Sequence, residues 1–331
     1  MNKPRSIQFL QTKRGKKYLY FFLKILISVL VLSSLIHKIS LTDILVALES
    51  ARKGFILFAL LLLPANVFFQ FKKWQLLLKI EKPQASQGEV IFSLLAGITL
   101  GFVTPGRLGE FGRAIFVRHA HWPRLLGFIA IEKLFALLMI YFFGFLGLIY
   151  FLKTKMEYFH LVLLTSLFLV IFAIILFLLL NPKILDNLLG RMHFYSGRSE
   201  KIKQFTSAFQ AFSSFKAHRL LGFCLAQTLI YILQFSLLVN AFSSIAITKA
   251  FLAVGATMMV KSMLPIAIGD LGVRESAAVF FFNMLHVPGA AAFDASLLLF
   301  FINLLIPSII GLILILKNRY ISNTGNSNSE A

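Results

Sequence analysis

Six stretches of this chain stay apolar long enough to approach or reach the span of a lipid bilayer, and nothing else restricts the fold as much. They are residues 20–36, 54–71, 127–151, 160–180, 220–242 and 295–316. A hydrocarbon core about 30 Å thick needs roughly 20 apolar residues as a helix. Inside lipid only helices or closed barrels satisfy their backbone groups, and these runs are too long and continuous for barrel strands. The balance of the chain agrees: 58% of its 331 residues are hydrophobic and 14% are charged, where a globular domain carries about 25% charged residues. The expected fold class is all-α, a polytopic membrane helix bundle.

The formal net charge is +20. In a soluble chain that would point to nucleic acid. In a membrane chain, excess Lys and Arg belongs in cytoplasmic loops facing anionic lipid, so no nucleic-acid partner is expected. Residues 1–17 carry Lys3, Arg5, Lys13, Arg14, Lys16 and Lys17 without an acid. That end is expected in the cytoplasm, followed by a retained first helix with no signal-peptide cleavage site after it. KKWQLLLK, at the end of the second helix, reads as a basic-aromatic interface anchor. The polar tail 317–331 reads as disordered and cytoplasmic. The lone Cys224 lies in an apolar run, lipid-facing or packed. One transmembrane domain, 18–316, is expected.

Charge also tests the crossings. If 86–103 crossed fully, every later loop would flip. The basic loop 181–219, with Lys183, Arg191, Arg198, Lys201, Lys203, Lys216 and Arg219, would then lie outside. Orientation is restored if 86–113 dips into the membrane and returns. By the same logic, 250–287 forms a hairpin entering from the outside. The expectation is six full crossings, two re-entrant broken-helix elements and cytoplasmic termini in the cytoplasmic membrane. The competing arrangement is eight or nine full crossings that break the charge rule.

The two dips share a pattern. TPGRLGEFGR and LPIAIGDLGVRE both read P-x-x-x-G-acid-apolar-G with an Arg close behind. Pro105 matches Pro265, Gly109 matches Gly269, Glu110 matches Asp270 and Gly112 matches Gly272. Arg113 matches Arg274 after a one-residue offset, and Gly106 adds flexibility to the first break. Interrupted helices in oppositely oriented halves mark the substrate site of inverted-repeat transporters. A broken helix offers N–H groups to an anion, and guanidinium forks suit phosphate. Candidate binding residues are therefore Arg107, Glu110, Arg113, Asp270, Arg274 and Glu275, with Glu132 on a neighbouring helix and Lys261 as a further phosphate contact. Glu110 and Asp270 would pair those arginines or meet an amine on a headgroup. The plainer alternative is that Glu110–Arg113 and Asp270–Arg274 are local ion pairs holding the breaks together. Asp294 reads as the N-cap of the last helix. Asn66, Gln70, Gln227, Gln234 and Asn303 read as interhelical hydrogen-bond formers. The seven His residues show no metal spacing, and no phosphate loop, dinucleotide fingerprint or hydrolase motif is present. No cofactor is expected.

KKWQLLL, TPGRLGEFGRA, IEKLFALL and LPIAIGDLGVRESA occur in an order and spacing that cover most of residues 20–316. In them the chain resembles the flippase-like transmembrane domain of lysylphosphatidylglycerol synthases. The resemblance implies movement of a phospholipid, or another glycerol- or polyprenyl-based lipid, between leaflets. It maps the family's Arg and acidic positions onto Arg107, Glu110, Arg113, Glu132, Asp270, Arg274 and Glu275. These 331 residues hold no soluble aminoacyl-transfer segment, so a lysyl-lipid substrate is not carried over. The leading expectation is a lipid translocase, not an enzyme. The alternatives are a membrane enzyme acting on lipid phosphate with Glu110 or Asp270 as base, and an accessory subunit of an envelope-lipid synthesis enzyme. The oligomeric state is not legible.

Overall fold

The computed structural model describes residue 46 and residues 49–104, 106–184, 200–264 and 271–327, with side chains to 317. The expected first helix, Pro105, Pro265, Gly269, Asp270, the centre of the basic loop and the last four residues lie outside the described residues. Among the described residues every regular element is helical. In chain order these are α1 (Lys53–Leu61), α2 (Leu63–Glu81), α3 (Gln87–Val103), a 3₁₀ segment (Leu108–Phe116), α4 (Trp122–Leu152) and α5 (Tyr158–Leu180). Then follow α6 (Glu200–Gln210), α7 (Ser214–Phe242), α8 (Ile247–Met263), α9 (Val273–Asn283) and α10 (Gly289–Phe300). A π turn (Phe301–Leu305) leads into α11 (Ile306–Ser327).

Five rods are long and apolar enough to cross a bilayer: α1 with α2, α4, α5, α7, and α10 with the start of α11. They coincide with five of the six apolar runs. Pro64, at the start of α2, makes the one-residue step at Leu62, because its ring removes an N–H and clashes with the preceding turn. The burial is that of a membrane protein. Along α5, Leu163, Leu167, Val170, Ile174 and Phe177 are all exposed, while Lys73, Arg113, Glu132, Arg274 and Glu275 are buried. Water would punish that distribution and lipid rewards it. Cys224 is packed inside.

Small residues let α8 lie directly on α4. A methyl on Gly147 would stand 2.2 Å from Leu252 O, and one on Gly255 2.5 Å from Phe143 O. Such backbone approach is how helices associate where no hydrophobic force separates them from lipid. The pairing sets direction: Gly144 meets Met259 and Gly147 meets Leu252, so α8 runs antiparallel to α4.

That direction reveals two hairpins of opposite sense. Residues 86–118 form the first. Lys82 reaches Glu89 at 2.7 Å and Arg118 O at 3.0 Å, and Glu89 accepts from Arg118 N–H at 3.2 Å. Glu81 in turn pairs with Arg124 at 3.0 Å. The open end of this hairpin is thus tied to the start of α4. The second hairpin is α8, the break and α9. Its open end lies at the other end of α4, where the Phe151 and Phe281 rings are 5.2 Å apart. The 3₁₀ segment of the first and the Lys261 end of α8 in the second lie toward the middle of α4. The start of α4 is also the basic end: α6 packs there, with Phe205 O and Ala208 against Gly127 and Lys201 over the Trp122 ring at 5.6 Å. Part of what reads as a basic loop, 181–219, is therefore helix.

Asp294 is not an N-cap. Its helix starts at Gly289 behind Pro288. The alanines of Gly-Ala-Ala-Ala have the propensity to begin the helix six residues early, which carries Asp294 into the buried interior.

Candidate functional site

The first break is built by local chemistry. Thr104 ends α3: its hydroxyl donates back to Leu100 O at 3.0 Å and accepts from Gly109 N–H at 2.6 Å. Gly106 (φ 59°) and Arg107 (φ 55°) then turn through the left-handed region, which Gly enters freely and Arg only under constraint. The chain returns as a 3₁₀ helix, whose three residues per turn stack positions i and i+3. Arg107, Glu110 and Arg113 therefore form one stripe. The stripe lies on α3 because Gly97 and Gly101 leave room: a methyl there would sit 2.7 Å from Arg113 Cβ and from Glu110 Cγ respectively.

The stripe meets α2 and α4 in a buried charge cluster. Glu132 takes Lys73 at 3.0 Å on one oxygen and Arg113 on the other. Glu110 takes Arg107 and Lys133. Arg113 lies over the Trp74 ring, 4.1 Å from its centroid, and Trp74 is fixed by its own N–H donating to Ser93 Oγ at 2.9 Å. The alternative of a local Glu110–Arg113 pair is not what the described residues form. In the 3₁₀ geometry Glu110 turns to Arg107 and Lys133, and Arg113 crosses to another helix. One Arg113 donor, Nε, is buried with no hydrogen-bond partner among the described residues.

These groups line a cavity of about 160 Å³, together with Asn66 and Gln70 of α2, Gly97 of α3, Gln227 and Tyr231 of α7, Met258 and Lys261 of α8, and Asn303. Along α4 its lining spans Glu132 to Ile140. At 1.5 Å per residue that is roughly 15–27 Å along a helix of about 46 Å, the central third. Both hairpins reach it, the first through Arg107, Glu110 and Arg113 and the second through Lys261. The π turn supplies Asn303; such turns often occur at functional sites because the extra residue re-aims a side chain.

Of the residues expected to bind substrate, Arg107, Glu110, Arg113, Glu132 and Lys261 come together here. Arg274 and Glu275 are not among the described residues that line this cavity. Arg274 pairs with Glu275 and donates from Nε to Ser296 Oγ at 2.8 Å. Ser296 donates to Glu275 Oε1 at 3.0 Å, and Glu275 Oε2 accepts from Gly272 N–H at 2.6 Å. Gly272 (φ 88°) starts α9 in a conformation that favours glycine. Among the described residues these groups pair with one another at the start of α9, where Glu275 acts as the N-terminal acid of a capping box.

Reasoning from sequence missed Lys73 and Trp74. KKWQLLLK does not anchor at an interface: Lys73 is 3% exposed and Trp74 is 0% exposed. The signal was a stripe. Asn66, Gln70 and Lys73 fall at i, i+4 and i+7 on one face of an otherwise apolar helix, and Gln227, Tyr231 and Gln234 do the same on α7.

No curated protein and no solved structure matches the chain. The family model described as the lysylphosphatidylglycerol synthase transmembrane region matches residues 21–311. A match over most of the length, on a helical bundle with five apolar rods, makes the chain a multi-pass membrane protein of a lipid-related family: it belongs to the lysylphosphatidylglycerol synthase transmembrane-region family.

Proposed function

We propose that this protein translocates a phosphate-headed anionic lipid between the leaflets of the cytoplasmic membrane, with the basic end of the bundle inward and the two hairpins re-entrant. One observation carries the proposal. The cavity lies midway along α4, where the 3₁₀ segment meets the end of α8, and its lining sets five cations against two carboxylates among the described residues. Buried charge in a membrane is costly enough that a cationic excess needs a purpose, and the unpartnered Nε–H of Arg113 is a donor that a phosphate oxygen would satisfy. The headgroup would cross through this cavity while the acyl chains stay in lipid. Transport would run downhill or be coupled to an ion.

The test uses purified protein in vesicles doped with acyl-fluorescent phosphatidylglycerol, with the outer leaflet bleached by dithionite. Wild type exposes inner-leaflet label faster than protein-free vesicles. Losing one charge-assisted hydrogen bond of about 1.5–3 kcal/mol slows Arg113→Gln by roughly ten- to a hundredfold. Lys133→Gln, at the more open rim of the cluster, serves as a second variant if the first folds poorly. Wild-type rates in both folded variants refute the phosphate site. New lipid products in the same vesicles would favour an enzyme instead.

A further inference from the structure

The cavity has two unlike walls, and the second bears on which headgroup it takes. Beside the charge cluster, continuing the face of α2 that carries Lys73, stands a chain of neutral amides. Gln70 and Gln227 both donate their amide N–H to Asn66 Oδ1, each at 3.0 Å. Asn66 donates to Asn303 Oδ1 at 3.0 Å, Asn303 to Gln234 Oε1 at 2.6 Å, and Gln234 to Ala59 O at 2.7 Å. Every donor used here is pinned in one direction. The Oε1 atoms of Gln70 and Gln227 are left without a hydrogen bond among the described residues, and both side chains line the cavity. Each glutamine thus keeps a free acceptor beside one spare amide N–H, a set that suits a group which both donates and accepts.

A donor on a lipid headgroup is a hydroxyl or an ammonium, and the charged wall decides between them. Both carboxylates of the cavity are already held by two cations each: Glu132 by Lys73 and Arg113, Glu110 by Arg107 and Lys133. An ammonium entering the cavity would meet five cations, Lys261 included, and would have to displace one from a buried carboxylate. A neutral hydroxyl meets no such barrier. Resting on the translocase proposal above, we infer that the site selects lipids whose phosphate carries a neutral hydroxylated group, such as a glycerol or sugar, and rejects headgroups bearing an amine. The phosphate faces Arg113 and its neighbours, and the hydroxyls donate to Gln70 and Gln227.

The same vesicle assay tests this with four acyl-fluorescent lipids: phosphatidylglycerol, phosphatidic acid, phosphatidylethanolamine and lysyl-phosphatidylglycerol. Two hydrogen bonds to hydroxyls, each about 1 kcal/mol, predict that phosphatidylglycerol moves at least about tenfold faster than phosphatidic acid. The amine-bearing lipids are slower than phosphatidylglycerol by a similar factor or more. In Gln227→Leu the advantage of phosphatidylglycerol over phosphatidic acid falls several-fold. If lysyl-phosphatidylglycerol or phosphatidylethanolamine moves as fast as phosphatidylglycerol, the selectivity is wrong and translocation stands. If bare phosphatidic acid is the fastest lipid, the amide wall plays no part in recognition and the inference falls. If none of the four lipids moves faster than in protein-free vesicles, the translocase proposal fails and takes this inference with it.

Discussion

Replacing Glu132 by Gln tests whether the charge cluster is as tightly interlocked as its geometry indicates. Glu132 is buried between two cations that are themselves buried, Lys73 at 3.0 Å and Arg113. At an effective dielectric constant near 20, the Lys73 contact alone has a Coulomb term of about 5–6 kcal/mol. Much of that only repays the desolvation of the three groups, so the pair adds little net stability while it is intact. Breaking it is different, because the desolvation has already been incurred. An uncompensated buried charge costs about 3–5 kcal/mol, and here two cations are left facing a neutral amide. At roughly 2–4 °C per kcal/mol for a chain of a few hundred residues, the melting temperature of Glu132→Gln in detergent falls by about 10 °C. The chain has two Trp residues, and one of them, Trp74, is stacked on Arg113, so intrinsic fluorescence reports the melt from within the site. Lys73→Met keeps the Arg113–Glu132 pair and costs less. The double variant Lys73→Met/Glu132→Gln is less damaged than the sum of its parts, by a coupling of about 1–3 kcal/mol. A Glu132→Gln protein that melts with wild type, or a double variant that is simply additive, refutes the interlock.

Gly97→Ala puts a methyl 2.7 Å from Arg113 Cβ; overpacking of this kind costs about 1–3 kcal/mol, and lipid movement slows because Arg113 is pushed off Trp74. Gly222→Ala on α7 meets nothing within 4 Å and is neutral or stabilising by up to about 1 kcal/mol, since Ala is the better helix former. Arg113→Lys keeps the charge but loses the planar fork and the ring stacking; translocation falls by about tenfold, against near-equality if charge alone matters. Asp294 is 1% exposed and neither oxygen has a hydrogen-bond partner. Asp294→Ala therefore raises stability by about 1 kcal/mol or more, seen as a melting point a few degrees higher.

The five apolar rods were legible because lipid imposes a length and a composition that a single sequence displays openly. The first break was legible from its glycines, and Gly106 does turn through the left-handed region. What could not be read was which charge pairs with which. Glu110 and Arg113 stand three apart, a spacing that on an α-helix makes a local pair; the tighter 3₁₀ winding sends them to different partners. Lys73 hid because an aromatic-basic motif at a helix end has a commonplace interfacial meaning, and only the fold shows α2 running past α3 and α4 with Lys73 inward. Asp294 was misplaced because an Asp before an apolar run signals a cap, and the alanines ahead of it override that signal.

The two hairpins are alike in motif and opposite in direction, yet they differ in how they use their charges. At the second break, Arg274, Glu275, Ser296 and Gly272 pair with one another among the described residues, so those charges hold the start of α9 in place. At the first break, Arg107, Glu110 and Arg113 reach outward to α2 and α4, and the pairs they make line a cavity. A closed group fixes one geometry. An open one spans three elements that share its ion pairs, so a ligand anion drawing Arg113 or Lys133 away from its carboxylate loosens the 3₁₀ segment from α4. The first hairpin is therefore the half expected to move when headgroup binds, and the second is the half it moves against. Hydrogen exchange with and without an anionic lipid resolves the two: residues 104–116 change in protection and residues 272–283 do not. Equal changes in both halves would refute this division of labour.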